Sequence, residues 1–151
     1  MAGDNALELY KQHQTINEKH TYFLLAAAGA AIGFAVQKTE GLLLSWWLTP
    51  VALAILLWGI SFYCGCKHVT AWQSVMRVNA DLLKLQSGTH PIQPRSSVEM
   101  KVALEAVTSA LDRGVDRAAR YQRLQFYLLV FGAVFFIIWR ALVMVRATFY
   151  A

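Results

Sequence analysis

Three stretches of the chain carry apolar residues with no charge between them. Tyr22 to Val36 reads YFLLAAAGAAIGFAV, Gly41 to Cys66 reads GLLLSWWLTPVALAILLWGISFYCGC, and Leu124 to Trp139 reads LQFYLLVFGAVFFIIW. A helix needs about 20 mostly apolar residues to cross a bilayer, within a range of about 17–25. The second stretch meets that length outright. The third meets it by running on past Arg140 into ALVMV, and the first by taking in Thr21 and Gln37. The pattern predicts three transmembrane helices, over 21–37, 42–66 and 124–146. The first apolar run begins after some twenty largely polar residues, which does not fit a cleavable signal peptide.

Between Cys66 and Leu124 the pattern turns periodic. Val69, Trp72, Met76, Asn79 and Leu83 follow a 3-4-3-4 spacing, and Val75, Val78, Leu82 and Leu85 widen the stripe. This is the period of an amphipathic helix. No breaker separates it from the second span, so one helix is expected to run to about Gln86. The segment Ser87 to Arg95 holds two prolines and a glycine and reads as a turn. Ser96 and Glu99 have the spacing of a capping box. A second stripe follows through Met100, Leu104, Val107, Leu111, Val115 and Ala118, with Lys101–Glu105 and Asp116–Arg120 as pairs of opposite charge four apart. Gly114 is its weak point, costing up to about 1 kcal/mol against Ala. Each stripe needs a partner, and an antiparallel pair is the economical answer. The expected fold class is therefore an all-α integral membrane protein with three transmembrane helices, the second and third extended into a cytoplasmic antiparallel helical hairpin over 67–123, turning at 87–95. Hairpin contacts are expected from Trp72, Met76, Asn79, Leu83, Leu104, Val107 and Leu111. The N-terminal residues 1–20, with Leu7, Tyr10, Gln14 and Asn17, are expected to form an amphipathic cytoplasmic helix.

Composition narrows the class. Of 151 residues, 57% are apolar and 15% charged, against about 45–50% and 25% for a soluble domain. Too little polar sequence remains to cover three such stretches as a soluble core. The balance also excludes a disordered chain, which needs low hydrophobicity and high net charge. Two cysteines close together exclude a disulfide framework.

Charge sets the orientation. Lys67, Arg77, Lys84, Arg95, Lys101, Arg113, Arg117, Arg120 and Arg123 all lie between the second and third spans. The positive-inside rule places that segment and the N-terminus in the cytoplasm, and the C-terminus outside, in a membrane expected to be a bacterial inner membrane. Tyr22, Phe23, Phe62, Tyr63, Tyr121 and Phe126 would then form the inner aromatic belt. Trp46, Trp47, Trp139 and Tyr150 would form the outer one.

Candidate functional positions follow. Gly29 and Gly33 form GxxxG, and Ala26 and Ala30 are likewise four apart. Small residues let helix backbones approach closely in lipid. The face they share serves packing against another span of the chain, contact between copies, or the lining of a pore. Arg140 is a charge within a candidate span. It lies near the outer end and can snorkel to the headgroups, or pair with Glu40. Arg113, Arg117, Arg120 and Arg123 sit beside the inner leaflet, where basic side chains attract anionic lipid at about 1 kcal/mol each. Asp112 and Asp116 dilute that run, and nucleic-acid binding is not expected. Cys64, Cys66 and His68 cannot converge on one metal, because residue i+2 of a helix faces away, so no metal site is expected even with His20 nearby. Pro50 either opens the second helix as its first residue, after Thr49 as N-cap, or kinks a longer one.

No phosphate-binding, dinucleotide-binding, zinc-protease or nucleophile-elbow motif occurs. No carboxylate lies within a span, which argues against a proton-coupled carrier, and no internal repeat links the spans. The expectation is a non-enzymatic, cofactor-free, self-assembling membrane protein. Its partners are membrane lipids and other copies of itself. An oligomeric pore is the concrete form, since three spans are too few to enclose a pore alone. The alternative is an accessory or assembly subunit of a larger membrane complex, docked through the hairpin.

Overall fold

The first apolar run and the polar residues before it contain no proline and no turn pair, and the backbone passes from one to the other unbroken. In the computed structural model, which describes residues 2–42, 45–94 and 96–149, helix α1 runs from Ala2 to Thr39. Side-chain detail covers Thr15 and residues 18 to 148 within those ranges, so Leu7, Tyr10, Gln14, Asn17 and Tyr150 lie outside it. Gly41 ends the helix in the left-handed region at φ 77°, and the Leu42 N–H donates to the Thr39 carbonyl at 3.2 Å. A single 3-10 turn, Trp46–Leu48, precedes helix α2, Thr49–Ser87. The helix thus opens at Thr49, with Pro50 in its first turn, where a missing N–H costs nothing. Of the two readings of Pro50, the structure has the helix start and not the kink.

Helix α2 stops at a Schellman motif. Gly88 takes φ 74°, its N–H donates to the Leu85 carbonyl at 3.3 Å, and the Thr89 N–H reaches back to the Lys84 carbonyl at 3.0 Å. Helix α3, Ser97–Phe149, starts from Ser96, whose hydroxyl accepts the Glu99 N–H at 3.2 Å. The described residues contain three long helices and no strand. All three are long and apolar enough to cross a membrane, over Glu18–Thr39, Trp46–Ser87 and Ser97–Thr148.

The chain divides into two compact units. The first comprises residues 1–65 and 123–151. Along α2 it buries Val51, Ala54, Trp58, Ser61 and Gly65, at intervals of three and four. Along α3 it buries Gln125, Gly132 and Trp139, seven apart. Along α1 it buries Thr21, Leu24, Ala28 and Ala35. A repeat of 3.5 residues is that of helices packed knobs-into-holes with a left-handed supercoil. Large and small residues alternate in this core. Trp58 and Trp139 pack with Ala35, Val51 and Ala54, and Phe136 lies 5.7 Å from Trp58 and 5.5 Å from Trp139 between ring centres. Trp139, expected in an outer belt, is interior at 2% exposure, while Trp46 is 89% exposed. Hydropathy gives both tryptophans the same weight. Only the heptad phase of α3 separates 139 from an exposed position.

The second unit, Cys66–Gln122, buries His68, Val75, Leu85 and Ala118. His68 meets Ala118, and Val75 faces Gly114. Gly114 is thus a notch occupied by a valine: a Cβ there would lie 2.8 Å from Val75 Cγ2. The expected pairs Lys101–Glu105 and Asp116–Arg120 do not close, whereas Asp81–Lys84 does, at 3.7 Å. Exposed pairs of this kind gain only about 0.2–0.5 kcal/mol, so their absence changes little.

Candidate functional site

The small-residue face of α1 is the first candidate. The residues that pack inward from this helix are Thr21, Leu24, Ala28 and Ala35. Ala26, Gly29, Ala30 and Gly33 fall on the other side and are exposed. Neither Gly29 nor Gly33 has any atom within 4 Å of where a Cβ would stand. Of the roles open to this face, packing against another span of the same chain is not the one the structure uses. Close approach occurs instead at glycines the hydropathy pattern does not single out. A Cβ on Gly132 would strike the Trp58 indole, with Cδ1 at 2.6 Å. One on Gly65 would lie 2.7 Å from Leu25 Cδ2.

Polar groups of the first unit form a second set. Thr21, Ser61 and Gln125 are fully buried. The Ser61 hydroxyl donates to the Gln125 carbonyl at 2.7 Å, and the Trp58 indole N–H donates to the Leu129 carbonyl at 3.1 Å. Both bonds cross from α2 to α3 and fix their register, which is how polar side chains tie helices together where no water competes. The Gln125 side chain is different, since neither its amide nitrogen nor its oxygen has a partner in the protein. Gln125 could have been noticed in the sequence, as a polar residue within the third apolar run.

The expected hairpin contacts are placed unevenly. Trp72, Asn79, Leu104, Val107 and Leu111 are half-buried, whereas Met76 and Leu83 are exposed, Leu83 by 57%. The buried line of α2 instead runs through His68, Val75 and Leu85, about one residue round the helix. His68 donates from Nδ1 to the Ala118 carbonyl at 2.8 Å, since only a protonated nitrogen can bond that acceptor. Its ring stacks on Trp72 with centres 6.5 Å apart.

Cys64 is buried and Cys66 exposed, and both are free thiols. Among the described residues no group of three His, Cys, Asp or Glu gathers closely enough to hold a metal. Arg140 is exposed and forms no ion pair with Glu40. Arg113, Arg117, Arg120 and Arg123 are exposed as well. No protein-family model, no curated protein and no solved structure matches the chain.

Proposed function

We propose that the chain is a non-enzymatic, multi-pass membrane protein that assembles with copies of itself through the outward face of α1. The observation that carries this reading is the open line Ala26, Gly29, Ala30 and Gly33. A lipid-embedded helix gains from close backbone contact where its residues are small, and here the interior of the protomer does not supply that contact. A membrane setting is supported by large apolar side chains left exposed on the other helices, including Leu53, Leu56 and Ile60 on α2 and Phe131, Val134 and Ile137 on α3. In water such a surface would drive aggregation. In this reading the cationic segment between the second and third spans lies in the cytoplasm as a helical hairpin, with the N-terminus inside and the C-terminus outside. The membrane is a bacterial inner membrane. The exposed arginines Arg113, Arg117, Arg120 and Arg123 meet anionic headgroups. The assembled spans form a pore or channel regulated through the hairpin.

The test is the mass of the purified protein in detergent, with dye release from liposomes. A discrete homo-oligomer that releases dye supports the pore. A monomer that leaves liposomes sealed refutes it. A second reading, an accessory subunit docked through the hairpin, is favoured by one observation. Met76, Leu83, Val98 and Val102 are apolar and exposed in the unit that carries most of the charge. Co-purification of a monomer with one larger membrane protein would select that reading.

A further inference from the structure

We infer that the first unit carries a binding site for an anionic amphiphile, a phosphate-bearing lipid, between the turn after α1 and the C-terminal end of α3. The inference rests on the membrane reading above but not on self-association. A cavity of about 610 Å³ opens there, within the range of about 300–1,000 Å³ typical of ligand sites. Its wall is apolar, formed by Leu48, Leu142, Val143 and the ring of Trp139, with Leu42 at the turn. At one edge stands Arg146, whose guanidinium lies 5.9 Å from the centre of the Trp47 ring. The planar fork of N–H donors on a guanidinium suits a phosphate. No carboxylate pairs with Arg146 among the described residues, and none lines the cavity; Glu40, next to Gly41 of the lining, is exposed.

The lining sets the occupant. Its phosphate neutralises Arg146, and its apolar chain covers Leu48, Leu142 and Val143. A free anion would leave the apolar wall bare, and a neutral amphiphile would leave Arg146 without a counter-charge.

The experiment is native mass spectrometry of the full chain in detergent, titrated in separate arms with short-chain phosphatidylglycerol, short-chain phosphatidylcholine and inorganic phosphate. Phosphatidylglycerol is expected to bind roughly tenfold more tightly than phosphatidylcholine, as one charge-assisted contact implies. Arg146→Gln removes that preference. Arg77→Gln, exposed in the other unit, leaves the preference unchanged. Three results overturn the inference: inorganic phosphate binding as tightly as the lipid, equal affinity for both lipids, or a preference that survives Arg146→Gln. Any of these can occur in a chain that stays in the micelle, and so leaves the membrane reading standing. A chain that is soluble without detergent and binds no lipid removes both.

Discussion

Gly132→Ala adds one methyl group where the first unit has no room for it. The new Cβ would lie 2.6 Å from Cδ1 and 3.0 Å from Cε2 of Trp58, against an optimum of about 3.5–4.0 Å for carbon contacts. One of the two must move by close to an ångström. Trp58 is 4% exposed and packs on Phe136, so its ring has nowhere to swing freely. Overpacking of this kind costs about 1–3 kcal/mol. Shifting the ring also stretches the Trp58–Leu129 bond beyond its present 3.1 Å, for a further 0.5–1.5 kcal/mol or about that. Against this, alanine in a helix interior gains up to about 1 kcal/mol over glycine. The net expectation is a loss of about 1–3 kcal/mol. Unfolding by SDS from mixed micelles, followed by far-UV circular dichroism, measures it. In a Trp58→Leu background the obstructing ring is gone, and Gly132→Ala becomes neutral or stabilising. The cycle therefore shows a coupling of about 1–4 kcal/mol. If Gly132→Ala is as stable as the parent, or the two changes are additive, the indole does not fill that notch and the proposed packing of α2 on α3 is wrong.

Other substitutions probe separate parts of the account. Gln125→Met keeps the side-chain length and removes two buried polar atoms that lack partners. It stabilises by about 1–3 kcal/mol in the same SDS titration, and a loss instead would mean that the amide holds something the protein alone does not supply. Leu85→Ala costs about 2–5 kcal/mol, whereas Leu83→Ala stays within about 0.5 kcal/mol. Equal effects would contradict the placement of the buried line of α2. His68→Phe keeps a flat ring beside Trp72 but loses the bond to the Ala118 carbonyl, which keeps its helical bond, at a cost of about 0.5–1.5 kcal/mol. A melting temperature equal to that of the parent would show that the bond is not formed.

The sequence made some of this legible and hid the rest for physical reasons. Long runs without charge point to helices of spanning length because the requirement is coarse, and a single helix from Ala2 to Thr39 follows from the absence of any breaker. Ser96 and Gly88 are local signals, and the helix ends depend on little else. The seam in the second unit was harder. Met76 and Val75 are both apolar and adjacent, and hydropathy does not rank them. The choice is made by Gly114 on the opposing helix, which admits Val75. The same glycine, read alone, is only a weak point. Gly29 and Gly33 were conspicuous as a motif, yet the glycine that receives a large side chain is Gly132, and nothing local marks it.

The central claim is that α1 joins copies of the chain. Its most direct measurement is resonance energy transfer between donor- and acceptor-labelled copies in liposomes, as a function of the protein-to-lipid ratio, for the parent and for Gly29→Leu with Gly33→Leu. Both positions are exposed and have open space around a Cβ, and the stability of the variant in SDS titration serves as the control. The account predicts transfer that saturates with concentration in the parent and falls to the level of random proximity in the variant. Transfer that is equal in the two proteins, or no higher than random in the parent, contradicts it.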